Sequence, residues 1–365
     1  MKLIITCGGT GGHFYPGLTI AQTAKKQDMD VKISLSGKHT AKFAKVCKAS
    51  QIPCTIQTEF SRPTAKWKLA ALGLKVLQDL IRCYRFLAKE KPDAVLGMGS
   101  FASFGLCFAA RLRRIPLYLH EGNAVAGASN CLLSKSAEKL FLSFNAINKS
   151  SIKCETVLTG FPVRTSFVND SNEHFNRDSI CHKLGCSPNK KIILFFGGSQ
   201  GAKTLNTRIA NAFNSLNKSD EYQILHLAGN TEEVERLKAL YDNKVDVVLK
   251  DYIENMSDCY RVVDLAISRG GAASLFELAL FSIPTIVIPL PWAADNHQFE
   301  NAKSINDSSG KKAIEICNQT EVEAKLPDLV TAFMKSPKTA DVFYHALDGS
   351  KAAERIISKI SKNQC

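Results

Sequence analysis

Two glycine-rich turns of similar build constrain this chain more than any other feature, because each follows a short apolar run and each opens a helical pattern. The first is Gly8-Gly9-Thr10-Gly11-Gly12-His13 after Leu3-Ile4-Ile5-Thr6-Cys7; the second is Gly197-Gly198-Ser199-Gln200-Gly201-Ala202 after Ile192-Ile193-Leu194-Phe195-Phe196. A strand feeding a glycine turn and then a helix N-terminus leaves backbone N–H groups pointing outward, where the helix dipole favours an anion such as phosphate. Two such units predict an α/β fold of two Rossmann-like domains facing a common cleft. A length of 365 residues is enough for two separate cores.

The rhythm of the rest agrees with that expectation. After the first turn, residues 16–26 read as a helix and 31–34 as a strand, followed by strands at 94–96 and 116–120 with a helix at 104–113 between them. A second series starts at Lys191, with strands at 223–227, 245–249, 265–268 and 285–289. Strand alternating with helix is the mark of a parallel sheet covered on both faces. Residues 161–188 are polar and read as an interdomain connection. The expected division is a first domain at 1–162 and a second at 163–344, with the last helix, in 345–365, returning to the first.

Charge separates the halves. Residues 1–160 carry 23 Lys and Arg against 9 Asp and Glu, while the remainder carries 24 against 25, so the formal net charge of +13 sits in the first half. That half is expected to meet an anionic surface. No helix-turn-helix, zinc-finger or RNA-binding signature is present, and a bilayer with anionic lipids fits the charge as well as nucleic acid does; the partner expected is an anionic membrane surface, not nucleic acid. Within 67–91, Leu69, Leu72, Val76, Leu80, Tyr84 and Leu87 follow helical spacing, and Lys68, Lys75, Arg82 and Lys89 recur every seven residues. The cations stack along one stripe, either a solvated face or a face lying on the membrane with Trp67 as an apolar anchor. The 12 cysteines include no CxxC pair, so reduced thiols in a cytosolic protein are expected, without a zinc site. No signal peptide or membrane span is read from the sequence.

Neither turn supplies the GxGxxG of a nicotinamide enzyme or the lysine of a Walker loop. His13 follows the first turn at the carboxyl end of a strand, where open α/β sheets place ligands, and an imidazole there can accept a proton. Glu121 ends another strand on the same side and competes for that role. In the second half, Arg269-Gly270-Gly271-Ala272-Ala273-Ser274 again brings backbone to a ligand, and Glu277 in the helix that follows can accept both hydroxyls of a ribose. Residues 295–301, Asp-Asn-His-Gln-Phe-Glu-Asn, are dense in groups that bind sugar hydroxyls. The one DxD, Asp28-Met29-Asp30, reads as a solvated turn, so no metal is expected and a diphosphate leaving group must be neutralised by N–H groups, a hydroxyl and an arginine.

Taken in order, GGTGGH with Pro16-Gly17, Gly97-Met98-Gly99, His120 to Asn123, Pro162-Val163-Arg164, GGSQGA, Arg269 to Glu277 and Asp295 to Asn301 resemble the MurG family over nearly the whole chain. These are bacterial cell-wall enzymes, inverting GT-B glycosyltransferases of peptidoglycan biosynthesis. The resemblance implies transfer of N-acetylglucosamine from UDP-N-acetylglucosamine to the 4-hydroxyl of undecaprenyl-diphosphate-linked N-acetylmuramoyl-pentapeptide, with no cofactor, at the cytoplasmic face of the membrane. It implies that the backbone of Ile253 reads uracil, Glu277 the ribose and Ser199 the diphosphate. Ala272, Ala273 and Ser274 would add backbone contacts and Gln298 would hold sugar hydroxyls. Thr10, Gly11, Gly12, Asn123 and Arg164 would close on the donor from the first domain, and His13 or Glu121 would be the base. The chain departs from the family pattern at Ser100-Phe101 (Gly-Tyr), Gly122 (Gln), Phe161 (Asn) and Gly270 (Ser or Ala).

Overall fold

The computed structural model describes residues 1–8, 10–37, 39–58, 69–145, 148–198, 202–216, 221–241, 245–291, 296–309, 313–335 and 348–362. Two compact units emerge, Met1–Thr165 with Gly349–Cys365, and Ser166–Asp348.

In the first unit, strands β1 (Lys2–Gly8), β2 (Asp30–Ser36), β3 (Cys54–Thr58), β4 (Ala94–Gly97), β5 (Leu117–Glu121), β6 (Lys139–Leu142) and β7 (Glu155–Leu158) form one parallel sheet in the order β3-β2-β1-β4-β5-β6-β7. Helices α1 (Gly11–Lys26), α2 (Thr40–Ala49), α3 (Leu69–Glu90), α4 (Phe101–Leu112) and α5 (Ala128–Leu133) supply crossovers. The order reverses at β1 and β4, and in open sheets that switch point is where a ligand crevice forms outside the carboxyl ends. Alternate residues of β1 go to opposite layers: Leu3, Ile5 and Cys7 pack with α1, while Ile4 faces the layer holding Cys83 and Leu87 of α3 and Leu106 of α4.

The second unit repeats the plan. It begins at Ser166, within α6 (Thr165–Asn172), continues through α7 (Arg177–Leu184), then builds its sheet from β8 (Lys191–Phe196), β9 (Tyr222–Leu227), β10 (Val247–Lys250), β11 (Leu265–Ser268), β12 (Thr285–Val287) and β13 (Ile314–Ile316). The order β10-β9-β8-β11-β12-β13 again reverses beside the strand that carries a glycine turn. Helices α8 (Lys203–Asn214), α9 (Thr231–Lys238), α10 (Met256–Val262), α11 (Ala272–Leu280), α12 (His297–Ser309) and α13 (Val322–Lys335) flank it. The last helix, α14 (Ala352–Lys362), lies in the first unit, where Ala353, Ile356, Ile357 and Ile360 pack into the core that contains α1.

Two expectations change. The polar stretch 161–188 is not simply a connection, since α6 and α7 occupy much of it, with Asn176 accepting from the Ser179 N–H at 3.0 Å and Gly185 ending α7 at φ 74°. Tyr84, expected on the apolar face of α3, is 42% exposed with the Arg113 guanidinium 4.7 Å over its ring. Leu87 is buried as expected and Leu80 packs against the same core; Asp79 and Cys83 join that face, and the open face carries Leu77 and Ile81 beside Arg82 and Lys89. Lys75 lies within α3, whereas Trp67 and Lys68 fall outside the described residues.

Candidate active site

In the first unit the site is built on the strand ends around β1. Gly8 must be glycine, because a Cβ there would lie 2.7 Å from the Ser36 carbonyl oxygen. Thr10 is the extended N-cap residue of α1, yet its hydroxyl does not cap the helix; Oγ1 meets His13 Nδ1 at 3.0 Å. Gly11 and Gly12 form the first turn of α1, so their N–H groups lie at its positive end. The His13 ring is half-buried, and its Cδ2 would be 3.5 Å from a Cβ on Gly99, whose φ is +83°. The positive φ is what favours glycine at 99, since a Cβ there would meet His13 only in ordinary van der Waals contact.

The end of β5 supplies a rigid support. His120 is fully enclosed, with Nε2 3.2 Å from Ser143 Oγ and its ring edge against Phe161. Burial, with His13 nearby, pushes its pKa down to about 3, so it stays a neutral imidazole. Glu121 is 6% exposed and both its oxygens are occupied: Oε1 accepts from the Asn123 N–H at 3.0 Å, and Oε2 from the Gly127 N–H and Asn130 Nδ2, each at 2.9 Å. Burial raises its pKa while these bonds oppose the rise. Asn148 pins the same loop by bonding the Ala126 N–H at 2.9 Å and its carbonyl at 3.1 Å. Arg164 stacks over Tyr15, with its guanidinium carbon 5.0 Å from the ring centre.

Ser100 shows what one departure from the family pattern costs. It caps α4 by accepting from the Ala102 N–H at 3.1 Å, but at φ 68° and ψ 159°, a conformation that belongs almost wholly to glycine. Ser100→Gly is expected to stabilise the protein by about 1 kcal/mol, the relieved strain less a small capping loss. An unchanged denaturation midpoint contradicts strain at this position.

In the second unit Gly198 turns at φ +95° after β8, and Ser199 lies outside the described residues. The next glycine loop follows β11. Gly270 has φ +80°, and a Cβ there would stand 2.9 Å from the Gln298 carbonyl oxygen and 2.7 Å from Val287 Cγ1, so this departure is dictated by the local backbone. Gly271 starts α11 without a side-chain cap, leaving the first-turn N–H groups of Ala272, Ala273 and Ser274 at a positive helix end. Glu277, one turn on, is half-buried and accepts from the Tyr260 hydroxyl at 3.3 Å. Gln298 Oε1 accepts from the Leu290 N–H at 2.7 Å, which directs its amide NH2 away from that loop. Ile253, 7% exposed, follows β10 beside Tyr252, which is 71% exposed.

Arg269 braces these loops from below. It is 9% exposed and donates to Gln319 Oε1 at 2.7 Å and to the Ile288 and Pro289 carbonyls at 3.4 Å; burial lowers its pKa to about 10. Sequence reasoning passed over Asn130, Asn148 and Tyr260, and it named Arg269 only as the start of a motif, without this bracing role. Among the described residues no group of three or more His, Cys, Asp or Glu is placed to hold a metal ion.

Two doubly wound units with glycine turns at their switch points define the class: an α/β protein with the architecture of nucleotide-sugar glycosyltransferases. Residues 3–142 match the glycosyltransferase family 28 N-terminal domain and residues 192–359 its C-terminal domain. Relatives named UDP-N-acetylglucosamine–N-acetylmuramyl-(pentapeptide) pyrophosphoryl-undecaprenol N-acetylglucosamine transferase include that of Carboxydothermus hydrogenoformans, 32% identical over 93% of this chain and 92% of its own. That of Halalkalibacterium halodurans is 30% identical over 98% of both chains. The crystal structure of MurG from Acinetobacter baumannii superposes with a TM-score of 0.75 at 27% identity, covering 99% of each chain. A UDP-GlcNAc 2-epimerase from Neisseria meningitidis shares the fold, with a TM-score of 0.70 at 15% identity over 99% of this chain and 100% of its own. The chain belongs to glycosyltransferase family 28, within its MurG group.

Proposed function

We propose that this chain transfers N-acetylglucosamine from UDP-N-acetylglucosamine to the 4-hydroxyl of undecaprenyl-diphosphate-linked N-acetylmuramoyl-pentapeptide, with inversion at the anomeric carbon. The observation that carries the catalytic assignment is the Thr10–His13 contact at the switch point. With Nδ1–H donating to Thr10 Oγ1, the neutral imidazole presents Nε2 as its acceptor, ready to take the proton of the attacking hydroxyl. Glu121 is less suited to that task, because three N–H donors already occupy its oxygens. It serves as the clamp of the loop that carries Asn123.

The donor reading follows the second unit. The Ile253 backbone takes uracil, Glu277 the ribose hydroxyls, and Gln298 a sugar hydroxyl. Charge on the departing diphosphate is met by the N–H groups of the second glycine turn and Ser199, with Ala272 to Ser274 adding neighbouring backbone contacts and Arg164 and Thr10 to Gly12 contributing from the first domain; donors of this kind contribute about 3 kcal/mol each. The reaction accordingly proceeds in the presence of chelator.

The first unit faces the membrane in this reading. Among the described residues no helix is long and apolar enough to cross a bilayer. On α3 and α4, Leu77, Ile81, Tyr84, Phe101 and Leu112 are each more than 40% exposed, among Arg82, Lys89 and Arg111. Such a surface suits peripheral attachment at the cytoplasmic face, with an apolar contact and an electrostatic one. Binding to vesicles containing anionic lipid is expected to weaken as salt rises, and equal binding to neutral vesicles contradicts the cationic part.

The decisive assay follows labelled N-acetylglucosamine from its UDP donor to a short-chain acceptor analogue, with chelator present and an acceptor-free control. Acceptor-dependent product supports the transferase. Donor turnover without acceptor supports an epimerase, and donor binding with no reaction supports a non-catalytic scaffold.

A further inference from the structure

We propose that Tyr260 is a positioning residue for Glu277, setting the orientation in which that carboxylate grips the ribose of a uridine diphosphate sugar; this rests on the ribose reading of Glu277. The two side chains come from successive helices, α10 and α11, and the Tyr260 hydroxyl donates to Glu277 Oε2 at 3.3 Å. Only 3% of Tyr260 is exposed, and its ring is caged by Phe281 at 5.6 Å, Phe167 at 6.0 Å and Phe196 at 6.4 Å between centres. The helix beneath is fixed in turn, since Arg261 Nε donates to the Asp170 carbonyl at 2.9 Å and Ser257 Oγ donates to Asp170 Oδ2. A hydroxyl held this firmly is a fixed reference point.

Its use follows from carboxylate geometry. The last torsion of a glutamate is broad, so an untethered carboxylate samples many planes. Accepting two neighbouring ribose hydroxyls requires one plane. A bond from Tyr260 to Oε2 restricts that rotation before the nucleotide arrives and reduces the ordering cost of binding.

The test compares the dissociation constants of UDP and 2′,3′-dideoxy-UDP for the parent protein, Tyr260→Phe, Glu277→Gln and the double variant. Tyr260→Phe keeps the caged ring and is expected to weaken UDP about 5- to 10-fold while leaving dideoxy-UDP within about twofold. The double variant is expected to bind UDP no worse than Glu277→Gln alone. If Tyr260→Phe weakens both nucleotides equally, or neither, while Glu277→Gln abolishes the preference for UDP, Tyr260 only packs and the proposal fails. Additive losses in the double variant overturn it as well. A preference for UDP that survives Glu277→Gln defeats the ribose reading itself, and this proposal with it.

Discussion

His13→Ala is expected to lower turnover by at least about 100-fold while leaving UDP affinity within about twofold, the low end of what a positioned general base contributes. The affinity half of that expectation follows from placement: His13 belongs to the first unit, whereas the groups assigned to uracil and ribose belong to the second. The parent kcat/KM should fall at acid pH as the imidazole takes a proton and Nε2 ceases to accept. In the variant that acid limb should disappear along with most of the rate. Steady-state kinetics with the acceptor analogue, paired with calorimetric UDP titration, measure both quantities. A variant with undiminished turnover removes His13 from the base role.

The features that led to His13 were legible because they are local. An apolar run, a glycine cluster and a helical pattern lie within about twenty residues, and the Thr10 hydroxyl reaches the His13 ring across a separation of three. The same holds for the β11 loop, where Gly270 and Gly271 announce a backbone turn before Glu277. What escaped is long-range. Glu121 finds Asn130 nine residues on, in α5, and Tyr260 reaches Glu277 across seventeen. No periodicity encodes such pairs. Helix α7 was missed for a different reason: its polar composition suggested a linker, although an Asn cap and a terminating glycine were both in view at Asn176 and Gly185. Tyr84 fits the heptad-like spacing yet lies outward, because an aromatic ring can be covered by a neighbouring arginine instead of by the core.

Glu121→Gln separates a clamp from a base. A glutamine can place its oxygen toward Gly127 and Asn130, but its NH2 then confronts the Asn123 N–H, where the carboxylate accepts at 3.0 Å. One buried bond is lost and two donors are opposed, so stability should fall by about 1–2 kcal/mol. Glu121→Ala strands the Asn123 and Gly127 N–H groups and leaves Asn130 Nδ2 only its bond to the His120 carbonyl, and should cost about 3 kcal/mol or more. The pH dependence carries a definite sign. Burial holds this carboxyl's pKa above its unfolded value, so its stabilising contribution is full below the ordinary carboxylate range and shrinks as pH rises through the folded value. The stability gap between the parent and Glu121→Gln should therefore narrow over that interval, as read from denaturation midpoints across pH. Turnover should drop about tenfold or more because Asn123 loses its anchor, yet the acid limb of kcat/KM should stay where the parent has it. A limb that vanishes in Glu121→Gln and persists in His13→Ala would exchange the two roles.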